Sequence, residues 1–157
     1  LDFTKPVELH LEETALSELV GEVLALARPQ IERAGVRASV SQPDTLPPVR
    51  VDRALFQQAL MNLVLNACEA MKQGGKLEIT LRRKGEMAEI RVADTGHGIA
   101  PEHRRRIFEL FFTTRPSGSG LGLATAFRIV QIHNGSIDFE SEPGKGTTFL
   151  VELPLAR

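Results

Sequence analysis

Two carboxamides four residues apart, Asn62 and Asn66, interrupt an otherwise apolar run, Asn62-Leu63-Val64-Leu65-Asn66-Ala67. On a helix at about 100° per residue, Asn66 lies roughly 40° round from Asn62 and Glu69 roughly 20° the other way, so three polar groups share one stripe. Such groups need partners, because an unpaired buried polar group costs about 1–3 kcal/mol. They can bond each other or nearby backbone. Alternatively an Asn oxygen ligates Mg²⁺, a hard cation that takes oxygen ligands and keeps waters and substrate phosphates around it. Asp94-Thr95-Gly96-His97-Gly98-Ile99 ends a strand pattern in which Asp94 shares the parity of Ala88, Ile90 and Val92. Its carboxylate therefore points to the core side and must accept hydrogen bonds. An Asx turn supplies them locally; an adenine amino group is the functional candidate, with Gly96 and Gly98 letting backbone approach a flat ring. Gly118-Ser119-Gly120-Leu121-Gly122-Leu123 runs directly into a helical pattern. Alternating glycines before a helix expose N–H groups beside a positive dipole end, which suits phosphate, although a flexible linker reads the same way. No strand leads into it and no Gly-Lys-Ser/Thr follows, so it is neither a dinucleotide fingerprint nor a Walker loop. Thr147 shares strand parity with Phe149, Val151 and Leu153, a hydroxyl on an apolar face satisfied by its own strand or by a water shared with a ligand.

The elements that must position these groups follow from periodicity. Val7, Leu9 and Leu11 alternate with polar residues and predict a strand over 7–11, with Pro6 at an edge. Leu16, Leu19, Val20, Val23, Leu24 and Ala27 predict a helix ending near Gly35. Strands are expected over 36–41 and 49–51, and Asp52 caps a helix over about 53–71 that Gly74 and Gly75 stop. Leu77, Ile79 and Leu81, then Ala88, Ile90 and Val92, predict a hairpin turning at Lys84-Gly85-Glu86. A short helix over 101–108 and a longer one over 121–133 follow, and a hairpin turning at 143–146 closes the chain. This order predicts an α+β two-layer sandwich, a mixed sheet with helices on one face. The stretch from Asp94 to Gly122, a loop of about 25 residues, is of the uncommon length that usually serves function. Within it His103-Arg104-Arg105-Arg106, flanked by Glu102 and Glu109, reads as a solvated face, and Phe111 and Phe112 as tucked core or an apolar seal.

The chain has 157 residues with 19 Lys+Arg against 20 Asp+Glu, a formal charge of −1, which argues against a nucleic-acid binder held by a broad basic field. Hydrophobic residues at 42% and charged residues at 25% describe an ordinary globular chain, read as one domain over 1–157. The single cysteine, Cys68, excludes an internal disulfide and reads as a small buried hydrophobe. No apolar run approaches the roughly 20 residues of a membrane span. The start at Leu1 rather than a methionine suggests a piece of a longer protein, with 1–5 as a linker remnant.

The three features arrive in order: Asn pair on a helix, Asp-x-Gly-x-Gly after a strand, glycine ladder before a helix. Together they resemble the Asn box, first glycine box and second glycine box of the sensor histidine kinases, within the Bergerat-fold (GHKL) superfamily of ATP-binding domains. Phe108-Glu109-Leu110-Phe111-Phe112-Thr113-Thr114-Arg115 resembles the Phe box of the nitrogen-regulation type. Ile129 to Gly135 and Gly144 to Phe149 are similar to the family's closing segment, so the resemblance runs from the Val7 strand to Leu153-Pro154.

That resemblance implies Mg²⁺ and ATP as cofactors, with Asn66 as metal ligand and Asn62 supporting metal and phosphates. It implies Asp94 on the adenine amino group, Gly96 and Gly98 beside the ring, and Thr147 bonding through water. Gly118, Gly120 and Gly122, with the Leu121 and Leu123 amides, would hold the phosphates under a lid over 98–120. Arg115 stands where relatives often carry a lysine near the γ-phosphate. Two departures are Glu69, where many relatives have Lys or Arg on the phosphates, and Pro116-Ser117-Gly118, which lacks an earlier glycine. True ATPases of the superfamily carry a water-activating glutamate four residues before the metal-binding Asn. Here that position is Asn62, and a carboxamide is no general base. The expected function is donation of the γ-phosphoryl group to a histidine on a separate, upstream dimerisation domain, with a response regulator downstream. None of His10, His97, His103 and His133 has the acceptor context. The domain is expected to be cytoplasmic, with no direct membrane contact. A superfamily ATPase, an anti-sigma-factor-type serine kinase and a non-catalytic ATP-binding module are the alternatives.

Overall fold

A computed structural model describes residue 5 and residues 7–43, 45–109, 112–113 and 120–156. Five strands form one mixed sheet in the order β2 (Val36–Ser41), β4 (Gly75–Lys84), β5 (Met87–Asp94), β7 (Gly146–Pro154), β6 (Ser136–Glu142). Only β2 and β4 pair in parallel; every other pair is antiparallel. Three helices, α1 (Leu16–Ala34), α2 (Arg53–Ala70) and α3 (Gly122–Ile132), complete the two-layer α+β sandwich expected from the sequence. α2 lies between the other two helices and meets β4, β5 and β7. That central place explains why it is apolar nearly all round, burying Phe56, Ala59, Leu60, Leu63, Val64, Ala67 and Cys68. The alternation in β5 and β7 buries Ile90, Val92, Phe149 and Val151 on one face, and the same parity carries Asp94 and Thr147 inward.

The helix boundaries follow local chemistry. α1 ends at Gly35, which takes φ 70° and donates its N–H to the Glu32 and Ile31 carbonyls. Asp52 caps α2 by accepting the Leu55 N–H at 3.2 Å, and it also accepts the His10 N–H at 3.1 Å. Its own N–H donates to His133 Nε2 at 3.0 Å, while His133 Nδ1 meets the Ile129 carbonyl at 2.7 Å. Buried His133 thus ties the end of α3 to the start of α2, with its ring edge-on to Phe56.

Two expectations need correction. Residues 7–11 are not a strand: the first strand, β1, is Glu12–Thr14, paired antiparallel with β3 (Val49–Val51). The alternation of Val7 and Leu9 is a half-buried approach, and three-residue β3 offers no ladder to extend it. The helix over 101–108 shrinks to a 3₁₀ turn, Pro101–His103, followed by turns, because Ile107 and Phe108 leave the helical path to pack inward. Pro6 lies outside the described residues. Among the described residues no helix is long and apolar enough to cross a membrane.

Replacing Asp52 by Ala removes a helix cap and a second acceptor at once. The expected loss is about 1–2 kcal/mol of stability, read from denaturant unfolding. An unchanged midpoint would contradict the capping role.

Candidate functional site

The polar stripe of α2, the end of β5, the segment after it, the β6–β7 turn and the start of α3 enclose a cavity of about 610 Å³. Its size is that of a small-molecule site. Of the residues predicted from sequence, Asn62, Asn66, Asp94, Gly98, Gly120, Gly122, Leu123 and Thr147 line it, and Glu69 does so as well. Gly96 and Leu121 lie outside the wall, and Arg115 and Gly118 fall outside the described residues, as does Phe111.

Each side chain has a structural reason for its place. Asp94 is 7% exposed, and its Oδ1 accepts the Gly96 N–H at 2.9 Å and the Thr147 N–H at 3.2 Å. The Asx turn is therefore real, and it leaves Oδ2 as the oxygen for a ligand. Burial pushes the Asp94 carboxyl above the usual carboxylate range, while the Gly96 and Thr147 amides and nearby His97 pull it back. Gly96 earns its glycine through packing, since a Cβ there would stand 2.5 Å from the Ala70 carbonyl of α2. Gly98 takes φ 75° and backs onto Glu142 and Pro143.

Asn62 Nδ2 donates to the Gly122 carbonyl at 3.1 Å, so it pins the first residue of α3 to α2. Asn66, half-buried one turn on, has no hydrogen-bond partner among the described residues. A carboxamide held on a rigid helix and turned into a cavity without a protein partner fits an oxygen ligand for a hard cation. Among the described residues no cluster of three His, Cys, Asp or Glu side chains is placed to hold a metal. At the start of α3 no side chain caps the helix, and Gly120, Gly122 and Leu123 stand at the cavity. First-turn N–H groups there suit an anion. Cys68 faces away; burial, with Glu69 and Asp94 nearby, pushes its thiol pKa up and keeps it an inert hydrophobe.

Several lining residues escaped the sequence reading: His97, Ile99, His103, Ile107 and Pro143. Phe112 also lines the cavity, between His103, 5.4 Å between ring centres, and the Arg106 guanidinium 4.6 Å over its face. Phe108 stacks among Phe127, Phe139 and Phe149 and anchors the segment after β5 to the core. The position of His97 inside the glycine motif was the signal available for it, and Phe112 was already read as tucked core or an apolar seal.

Residues 51–157 match the family described as histidine kinase-, DNA gyrase B-, and HSP90-like ATPase. Sensor histidine kinase ZraS of Escherichia coli (strain K12) is 37% identical over 155 residues, covering 99% of this chain and 33% of that protein. The chain thus spans about a third of that relative's length. The nucleotide-free catalytic domain of histidine kinase ThkA superposes with a TM-score of 0.83 at 32% identity, over 93% of this chain and 96% of that one. Full-length ShkA in complex with AMPPNP superposes with a TM-score of 0.87 at 32% identity, over 96% of this chain and 32% of that one.

The raised Asp94 carboxyl has a signed consequence. Its stabilising share is complete below the ordinary Asp value and is lost as pH rises through the higher folded value. Asp94→Asn is therefore expected to be at least as stable as the parent at neutral pH, with the difference shrinking under acid. A thermal-unfolding series over pH checks this; an Asn variant clearly less stable at pH 7 would contradict it.

Proposed function

Because the chain belongs to the family of histidine kinase-, DNA gyrase B- and HSP90-like ATPases and has the fold of a histidine kinase catalytic domain, we propose that it binds Mg-ATP and serves phosphoryl transfer to histidine rather than hydrolysis. The observation that carries this reading is that one cavity gathers a buried carboxylate, an unpartnered Asn and an uncapped helix start. Asp94 Oδ2 accepts from the adenine amino group. The glycines and amides at the start of α3, with Asn62 fixing the Gly122 end, receive the phosphates. Asn66 would hold Mg²⁺, which would supply neutralisation of phosphate charge. Ile107 and Phe112 cover the cavity's apolar side. Arg115 serves the γ-phosphate, as a planar fork rather than a point charge. The AMPPNP bound to ShkA supports a nucleotide of this class.

Asn62 stands where a hydrolase needs a base, and its Nδ2 is engaged by Gly122. The γ-phosphoryl group therefore waits for an acceptor. That acceptor is a histidine on the parent protein's dimerisation domain, and a response regulator receives the group next, in the cytoplasm. A solved complex of histidine kinase ThkA with response regulator protein TrrA supports the second partner.

Asn66→Ala is expected to lower Mg-ATP affinity by at least tenfold, to the value measured in EDTA, while the parent shows a clear gain from Mg²⁺. Equal Mg²⁺ dependence in parent and variant would remove the metal from Asn66. Asp94→Asn should weaken ATP by about 10–100-fold, the worth of a hydrogen bond to a charged group. Unchanged affinity would remove the adenine from Asp94.

A further inference from the structure

Ser141 lies behind the cavity wall, yet its hydroxyl touches three parts of the frame. It accepts the Ile99 N–H at 2.8 Å, reaches the Gly146 carbonyl at 3.2 Å, and stands 2.9 Å from the Thr147 hydroxyl. Ser141 and Thr147 are direct partners across β6 and β7, on the same face. The Ser141 carbonyl also accepts from the Arg104 guanidinium, so two points of the segment after β5 are tied to this residue.

A serine hydroxyl has one proton and two lone pairs. The Gly146 carbonyl can only accept, and the Ile99 amide can only donate. The Ser141 proton therefore goes to Gly146 and one lone pair takes Ile99. One arrangement alone then satisfies the third contact, in which Thr147 donates its proton to the other lone pair. Thr147, 5% exposed and lining the cavity, is left with lone pairs only to show a ligand. Asp94 beside it accepts the Thr147 N–H through Oδ1.

We propose that Ser141 is a positioning residue that holds Thr147 as an acceptor, so that the site favours a purine bearing a 6-amino group over one bearing a 6-oxo group. This rests on the nucleotide reading above. Without Ser141 the Thr147 hydroxyl can rotate and donate to the water it shares with the ligand, freeing that water to donate to a 6-oxo group.

The test compares Kd for Mg-ATP and Mg-ITP, which differ at the purine 6 position, in the 157-residue chain and its variants. The parent is expected to prefer ATP. Ser141→Ala should cut the ATP/ITP preference by about five- to tenfold, the worth of one neutral hydrogen bond. Ser141→Thr, which restores a hydroxyl, should keep the parent's preference. Thr147→Val should lose preference by a similar factor, and adding Ser141→Ala to it should lose no more. Should the alanine variant fail to fold, Ser141→Cys carries the same expectation, because a thiol fills the space but bonds weakly. A Ser141 variant with both affinities reduced equally and the preference intact would show a merely structural residue and overturn the inference. A Ser141→Ala variant that keeps the parent's ATP/ITP preference, with a parent that binds ATP, overturns this inference alone. A parent that binds neither nucleotide overturns the nucleotide reading and this inference together.

Discussion

A carboxylate ending a core-facing strand is the constraint around which the site is arranged. Asp94 brings a charge to the face where β5 meets the helices, and such a charge is tolerated only with hydrogen bonds. Oδ1 is satisfied by two backbone amides, one from the turn after β5 and one from the start of β7. Both amides require close backbone approaches. Gly96 lies against the Ala70 carbonyl and Gly146 against the Asp94 carbonyl, so side chains are excluded at both positions. The charge thus draws together the end of α2, the end of β5 and the β6–β7 turn, which are three walls of the cavity. Burial still leaves the carboxyl harder to ionise than an exposed one, a stability cost accepted where an acceptor for a ligand is needed.

α2 links that end of the cavity to the other. Its two asparagines lie one turn apart yet do different work. Asn62 is spent on the Gly122 carbonyl and fixes the helix start that offers N–H groups to an anion. Asn66 has its carboxamide uncommitted among the described residues. A helix packed against helices on both sides and the sheet beneath gives these groups a rigid base, so their spacing is kept without loops.

Much of this was legible from parity and spacing. The alternation of β5 carried Asp94 inward, that of β7 carried Thr147, and the helical period put both asparagines on one stripe. Less visible was why particular residues are needed. Gly96 read as a close approach to a ring, whereas its neighbour is the Ala70 carbonyl, a tertiary contact with no trace in local sequence. His103 and Ile107 reach the cavity from a segment without periodicity, where no pattern assigns a face. The alternation over residues 7–11 was genuine, but strand pairing depends on a partner, and β3 has three residues. Ser141 becomes meaningful only once the β6–β7 register sets it opposite Thr147.

On the proposed reading the site holds Mg-ATP without hydrolysing it, because the carboxamide of Asn62 is no general base. Calorimetric titration of Mg-ATP into the chain, with recording continued past saturation, addresses it most directly. The account predicts binding heat that ends at saturation and a flat baseline afterwards. Steady heat from continuing turnover would contradict it, and would require another group in the cavity to activate water.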